Sequence, residues 1–122
     1  MARILVVDDE LGVREVLCRY FESRGHIALE ASGGRLAVEL VKAERPHLVL
    51  LDIRMPDMDG IEVLQELKQV DPAVGVIMVT AVGDAAIARE AMKLGAHDYI
   101  TKPIDLDYLD LAVTTKLIDF LG

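Results

Sequence analysis

Side chains able to do acid, ammonium or hydroxyl chemistry stand just behind four short apolar runs. Ile4-Leu5-Val6-Val7 runs into Asp8-Asp9-Glu10, Leu48-Val49-Leu50-Leu51 into Asp52, Val76-Ile77-Met78-Val79 into Thr80-Ala81, and Tyr99-Ile100 into Thr101-Lys102-Pro103. If the runs are strands of one parallel sheet, their carboxyl ends share an edge, and ligands bind on that edge where the strand order reverses. Asp8, Asp9 and Asp52 would then converge. Clustered carboxylates raise one another's pKa unless a cation intervenes. A hard divalent ion with oxygen ligands answers that need. Mg²⁺ suits it best, since it is held by one or two carboxylates and keeps positions for water and phosphoryl oxygens. Lys102 can pair a carboxylate at rest and neutralise phosphoryl oxygens during transfer, and the Thr80 hydroxyl can donate to one of them. An aspartate can itself attack phosphorus and become an aspartyl phosphate. The set describes phosphoryl transfer onto a protein carboxylate.

The elements that must position these residues follow from periodicity. The apolar runs, with Ile27-Ala28-Leu29 as the second, are too short for helices and rich in β-branched residues. The first, third and fourth runs are continuous, as expected of strands buried on both faces of a parallel sheet. The second, Ile27 to Glu30, has polar flanks that suit an edge. Helical stripes lie between the runs. Val13, Val16, Leu17, Tyr20 and Phe21 form one that closes at Gly25, and Leu36, Ala37, Leu40 and Val41 form another that closes before Pro46. A third follows Gly60 with Ile61, Leu64 and Leu67. A fourth starts near Asp84, carries Ile87, Ala88, Ala91 and Leu94, and stops at Gly95. A fifth follows Asp105 as N-cap. Five strand-helix units with short joints predict a doubly wound α/β fold with a five-stranded parallel sheet.

Composition narrows the class. The chain has 122 residues, 52% of them hydrophobic and 28% charged, which suits one globular domain over 1–122 and excludes an intrinsically disordered chain. Such a chain buries roughly two-thirds of its unfolded surface, enough for a core without staples. The formal charge of −8 opposes direct nucleic-acid binding, which needs clustered Lys and Arg. No apolar run approaches the roughly 20 residues that span a bilayer. The start of the chain lacks the zones of a signal peptide, and the single Cys18 has no disulfide partner, so a cytoplasmic location is expected. His26, His47 and His97 are scattered and suggest no metal site.

Taken together and in order, Asp8-Asp9, Leu50-Leu51-Asp52, Met55-Pro56-Asp57-Met58-Asp59-Gly60, Thr80-Ala81, Tyr99 and Lys102-Pro103 resemble the receiver domain of bacterial two-component response regulators. The resemblance runs from Ala2 to about Leu121. It implies a flavodoxin-like sheet of order 2-1-3-4-5 and a cis Lys102-Pro103 bond. It also implies that Asp52 accepts a phosphoryl group from a sensor histidine kinase. Asp9, Asp52 and the backbone carbonyl of Arg54 would bind Mg²⁺ directly and Asp8 through water. Lys102 and Thr80 would contact the phosphoryl group, and Tyr99 would turn inward as Thr80 moves. Lys102-Pro103-Ile104-Asp105-Leu106-Asp107, with Met78-Val79-Thr80-Ala81, is most similar to receivers of the nitrogen-regulatory class, which precede an ATPase and a DNA-binding module. Arg54 and Val82, two residues after Asp52 and Thr80, occupy positions that tune phosphate lifetime in the family; the first is long and cationic and the second apolar, and they are expected to hinder attack by water and lengthen the phosphorylated state.

Several residues read more plainly. Asp57 and Asp59 are expected to shape the turn before the third helix, and Cys18 to be an inert thiol. In the fifth helix Leu106, Leu109, Val113 and Leu117 make the core stripe, while Tyr108, Leu111, Ile118, Phe120 and Leu121 form a second apolar surface. That surface, with the fourth helix and fifth strand, is a candidate face for a homodimer or a C-terminal output domain. Two other functions compete. A Mg²⁺-dependent aspartyl phosphohydrolase of the haloacid dehalogenase type wants an acid where Arg54 stands. A receiver-like interaction module that is never phosphorylated would not need the full set of Asp8, Asp9, Asp52, Thr80 and Lys102.

Overall fold

A computed structural model describes residues 2–81 and 83–121, and the side chains of all of these except Asp119 and Leu121. Strands and helices alternate along the chain. They are β1 (Arg3–Val7), α1 (Leu11–Ser23), β2 (Ile27–Ala31), α2 (Gly34–Glu44), β3 (Leu48–Asp52), α3 (Gly60–Val70), β4 (Gly75–Thr80), α4 (Ala85–Lys93), β5 (Asp98–Thr101) and α5 (Leu106–Leu121). The strands form one parallel sheet of order β2-β1-β3-β4-β5, as the resemblance implies. The second strand is an edge, as its polar flanks predict.

The continuous apolar runs are explained by burial on two faces. Along each strand alternate residues serve opposite layers. Leu5, Val7, Val49, Leu51, Val76 and Met78 pack with Ala37, Val41, Val63, Leu64, Leu67 and Ala91 of α2, α3 and α4. Their neighbours Ile4, Val6, Leu48, Leu50, Ile77 and Val79 pack with Leu17 and Phe21 of α1 and Leu109, Ala112 and Val113 of α5. The amino ends of the strands are satisfied without ions. The backbone N–H of Ala2 donates to His26 Nδ1 at 3.2 Å, and that of Arg3 to His47 Nδ1 at 3.1 Å. The histidines are therefore acceptors for the start of the chain, which their sequence positions did not foretell.

Three helices differ from the predicted stripes: Val16 of α1 and Leu36 of α2, predicted to face the core, stand exposed, and so does one residue of α5. Leu106, the first residue of α5, is exposed rather than part of the core stripe. Leu109, Ala112, Val113 and Leu117 carry the buried face instead. Tyr108, Leu111, Ile118 and Phe120 stand exposed, as the second stripe requires. Asp105 caps α5 as predicted, accepting from the backbone N–H of Asp107 at 2.9 Å and of Tyr108 at 3.3 Å. Helix α4 buries only Ala88 and Ala91, so it is the helix with the smallest anchors.

Candidate functional site

All five strands run the same way, so the residues that leave them collect on one edge of the sheet. Asp8 follows β1 and Asp52 ends β3, and these strands are neighbours with Val7 opposite Leu51. Their carboxylates are buried, at 2% and 7% exposure. Lys102 enters from the far side of β4. Its backbone N–H donates to the Thr80 carbonyl at 2.7 Å, and the Lys102-Pro103 bond is cis. The Lys102 ammonium then lies between the two acids, 3.2 Å from Asp8 Oδ2 and 3.1 Å from Asp52 Oδ2. Thr80 ends β4 and is buried beside this group.

The loop after β3 is held so that Asp52 keeps one fixed orientation. The Arg54 N–H donates to Asp52 Oδ1 at 3.1 Å, and Arg54 bridges Asp59 in an antiparallel pair that folds the loop back. Gly60 closes it, donating to the Ile53 carbonyl at 3.0 Å. A Cβ at Gly60 would stand 2.6 Å from Ile53 Cα and 2.7 Å from its carbonyl oxygen, so only glycine allows this approach. On the other side, Glu10 N–H donates to Asp8 Oδ1 at 2.9 Å, and Arg14 holds the Asp8 carbonyl at 2.7 Å.

The electrostatics follow from burial and charge. Burial raises the Asp52 pKa most; the Asp8 charge adds to this, while the Arg54 N–H and Lys102 oppose it. Burial alone would lower Lys102, but its bonds and charge interactions with Asp52 and Asp8 outweigh that and raise it. One ammonium thus faces the buried pair Asp8 and Asp52, with exposed Asp9 alongside. Atoms of Asp8, Asp9 and Glu10 lie within 4.8 Å of one another, close enough to share a cation. This oxygen-only donor set, in excess of its one internal cation, fits a hard divalent ion such as Mg²⁺. The acids that cluster most tightly are therefore Asp8, Asp9 and Glu10, whereas Asp52 is tied to Asp8 through Lys102. Glu10 directly follows the two aspartates, so the signal for it was present in the sequence. Beside these acids lies an open depression of about 440 Å³ lined by Asp9, Arg54, Met55, Pro56, Asp59 and Ile87.

Other predicted residues fall as follows. Tyr99 stands outward on β5, 38% exposed, and Tyr108 of α5 donates to Asp98 Oδ2 at 2.9 Å next to it. Val82 lies outside the described residues. Asp59 caps α3 by accepting from Ile61 N–H at 2.9 Å, as a turn residue before that helix should. Asp57 does more than shape the turn: it accepts from Gly34 and Arg35 N–H at 3.1 and 3.2 Å and caps α2. The Arg54 side chain grips Asp84, Nε to Oδ2 at 3.0 Å and Nη2 to Oδ1 at 2.6 Å. Sequence reasoning missed both long-range contacts, which join loops 22 to 30 residues apart. Burial lifts the Cys18 thiol to about 11, in keeping with an inert cysteine.

Fold and site together define a flavodoxin-like α/β protein with buried acids and a lysine at the switch point of its sheet. The chain belongs to the response regulator receiver domain family, whose family model matches residues 4–114. Sporulation initiation phosphotransferase F of Bacillus subtilis is 41% identical over 115 residues, which make up 94% of this chain and 93% of that protein. Regulatory protein AtoC of Escherichia coli is 44% identical over 94% of this chain, but the chain spans only 25% of AtoC. The receiver domain of NtrX from Brucella abortus has the same fold at a TM-score of 0.88 and 34% identity, over 93% of this chain and 97% of that domain. Receivers are signalling domains, and the likeness to NtrX agrees with the nitrogen-regulatory resemblance. Among the described residues no helix is long and apolar enough to cross a membrane.

Proposed function

We propose that this chain is a phosphorylation-activated switch of a two-component relay, with Asp52 as phosphoacceptor. The observation that carries the reading is the Lys102 ammonium placed between the buried carboxylates of Asp8 and Asp52. An Asp52 oxygen attacks phosphorus of a phosphohistidine donor. The new O–P bond forms as the P–N bond breaks, and the electron pair stays on the departing imidazole nitrogen. The Arg54 N–H orients the attacking carboxylate, and Lys102 moves from pairing it to neutralising the incoming oxygens. The Thr80 hydroxyl donates to one of those oxygens. Asp9, Asp52 and the Arg54 carbonyl would hold Mg²⁺, with Asp8 acting through water. When bound, the ion supplies charge neutralisation that lets phosphate approach this acidic edge.

The phosphoryl group adds about two negative charges at the mouths of β4 and β5. The response passes through Thr80 and Tyr99 to the α4-β5-α5 face, where Tyr99, Tyr108, Leu111 and Ile118 stand exposed. That face controls a homodimer or an output domain. The quarter of AtoC that this chain spans supports an output module in a longer protein. We place the 1–122 domain in the cytoplasm, where a sensor histidine kinase can reach it, with no direct contact to nucleic acid. It turns over no external substrate, and its only reactions are its own phosphorylation and dephosphorylation. Arg54 and Val82 are assigned to slowing water attack; faster dephosphorylation of Arg54→Ala is expected, and a slower variant would refute that role. The main test is intact mass after incubation with Mg²⁺ and a small phosphodonor. One phosphoryl adduct, absent in Asp52→Asn, is expected. Turnover of added phosphate esters would point to a phosphohydrolase, and no adduct to a passive module.

A further inference from the structure

All five helices start on the edge that carries the site, and three of them have a carboxylate that accepts from first-turn N–H groups. Asp57 serves α2, Asp59 serves α3 and Asp105 serves α5. Helices α1 and α4 lack such a cap, and of the two only α4 has an aspartate at its N-cap position. That residue is Asp84, yet its side chain caps nothing. Both of its oxygens are taken by the Arg54 guanidinium. The N–H groups of Ala85, Ala86 and Ile87 precede the first intrahelical bond, which Ala88 makes to the Asp84 carbonyl.

The two partners of this ion pair are unequal. Asp84 is buried, its side chain 5% exposed, whereas the Arg54 side chain is 69% exposed and free to pivot on its stem. Arg54 also reaches the phosphoacceptor, because its main-chain N–H donates to Asp52 Oδ1. One residue therefore holds Asp52 with its backbone and the start of α4 with its side chain.

We propose that the Asp84 carboxylate is shared between two alternative partners, the Arg54 guanidinium and the first turn of α4, and that phosphorylation of Asp52 moves it from the first to the second. This rests on the reading of Asp52 as phosphoacceptor. A phosphoryl group offers a guanidinium more charge than one carboxylate and the same two-pronged geometry. Arg54 turns towards it and releases Asp84. A carboxylate that loses both of its guanidinium bonds takes up other donors within reach. The adjacent helix start, with free N–H groups and the positive end of the helix dipole, accepts it. The first turn of α4 then tightens, and since this helix buries only Ala88 and Ala91, a local change there biases the whole helix. Asp84 is thus a positioning residue that reports the state of Asp52 to α4.

Amide hydrogen exchange at Ala86 and Ile87, followed by NMR on the full chain, tests the idea. In the unphosphorylated chain Arg54→Gln should slow exchange at both amides about five- to tenfold, the effect of gaining a cap. Loading the wild type with Mg²⁺ and a small phosphodonor should slow it similarly, while Asp84→Ala should show no slowing in either state. Unchanged exchange in Arg54→Gln would overturn the proposal without any phosphorylation step. So would equal slowing in phosphorylated wild type and Asp84→Ala. Intact mass of the same samples separates the two readings. Lack of an adduct on the wild type overturns Asp52 as phosphoacceptor and with it the phosphorylation-driven move, whereas an adduct without slowed exchange overturns the shared carboxylate alone.

Discussion

The two ends of the central strands solve the same problem in opposite ways. At the amino end, polar backbone is satisfied by neutral groups: His26 and His47 accept from the N–H groups of Ala2 and Arg3. At the carboxyl end, two buried carboxylates share one ammonium, and a further acid pair, Asp9 and Glu10, crowds beside Asp8. The first arrangement closes an edge and stabilises it. The second leaves negative charge in excess, which costs stability and creates affinity for a cation and for phosphoryl oxygens held with one. Buried charge of this kind marks function, because packing alone never asks for it.

Breaking the charged end should have the largest consequence. Lys102→Ala removes the ammonium between Asp8 and Asp52, and phosphorylation by a small phosphodonor should slow by on the order of 10²-fold, measured as the rate of adduct formation by intact mass. Next comes the loop that fixes Asp52. Gly60→Ala drives a Cβ into the Ile53 backbone and should cost about 1–3 kcal/mol in urea unfolding. The third change has the opposite sign. The Asp52 pKa is raised in the folded chain, so this group favours folding most when protonated, and that contribution is lost as pH rises through its folded value. In metal-free buffer at pH 7, Asp52→Asn should therefore raise stability by roughly 1 kcal/mol. A loss of stability would show that the two acids are fully compensated by Lys102.

The neutral end should give the smallest effect, with the reverse pH dependence. Burial lowers the His26 pKa below its ordinary 6.5. Its contribution is complete above that value and is lost as pH falls from about 6.5 through the lower folded value. The pH-dependent part of stability over this window should shrink by less than about 1 kcal/mol in His26→Asn. The difference between the wild-type and variant urea midpoints across pH checks it.

What the sequence made legible was whatever depends on neighbours along the chain. The strand runs, the acids and the lysine behind them, and the Asp105 cap on α5 all follow from local pattern. The order β2-β1-β3-β4-β5 came from family resemblance, since five buried or edge strands permit other orders. Contacts between loops were not legible. Asp57 was assigned to its own turn, yet it caps α2 from the neighbouring loop. Asp84 looked like a helix start, and only the folded chain brings Arg54 across to it. Leu106 fits the periodicity of a core residue but stands exposed at the start of α5. In each case the deciding fact is which loops meet at the sheet edge, and that is a property of tertiary packing.

The claim on which the rest depends is that Asp52 carries the phosphoryl group. Acyl phosphates are reduced by borohydride to the alcohol, so an aspartyl phosphate is converted into homoserine. Treating the phosphodonor-loaded protein with borohydride, then sequencing its peptides by mass spectrometry, localises the group directly. The account predicts homoserine at position 52 and at no other aspartate, with the conversion requiring Mg²⁺. Homoserine at Asp8, Asp9 or elsewhere, or none at all in protein shown to carry the adduct, would contradict it.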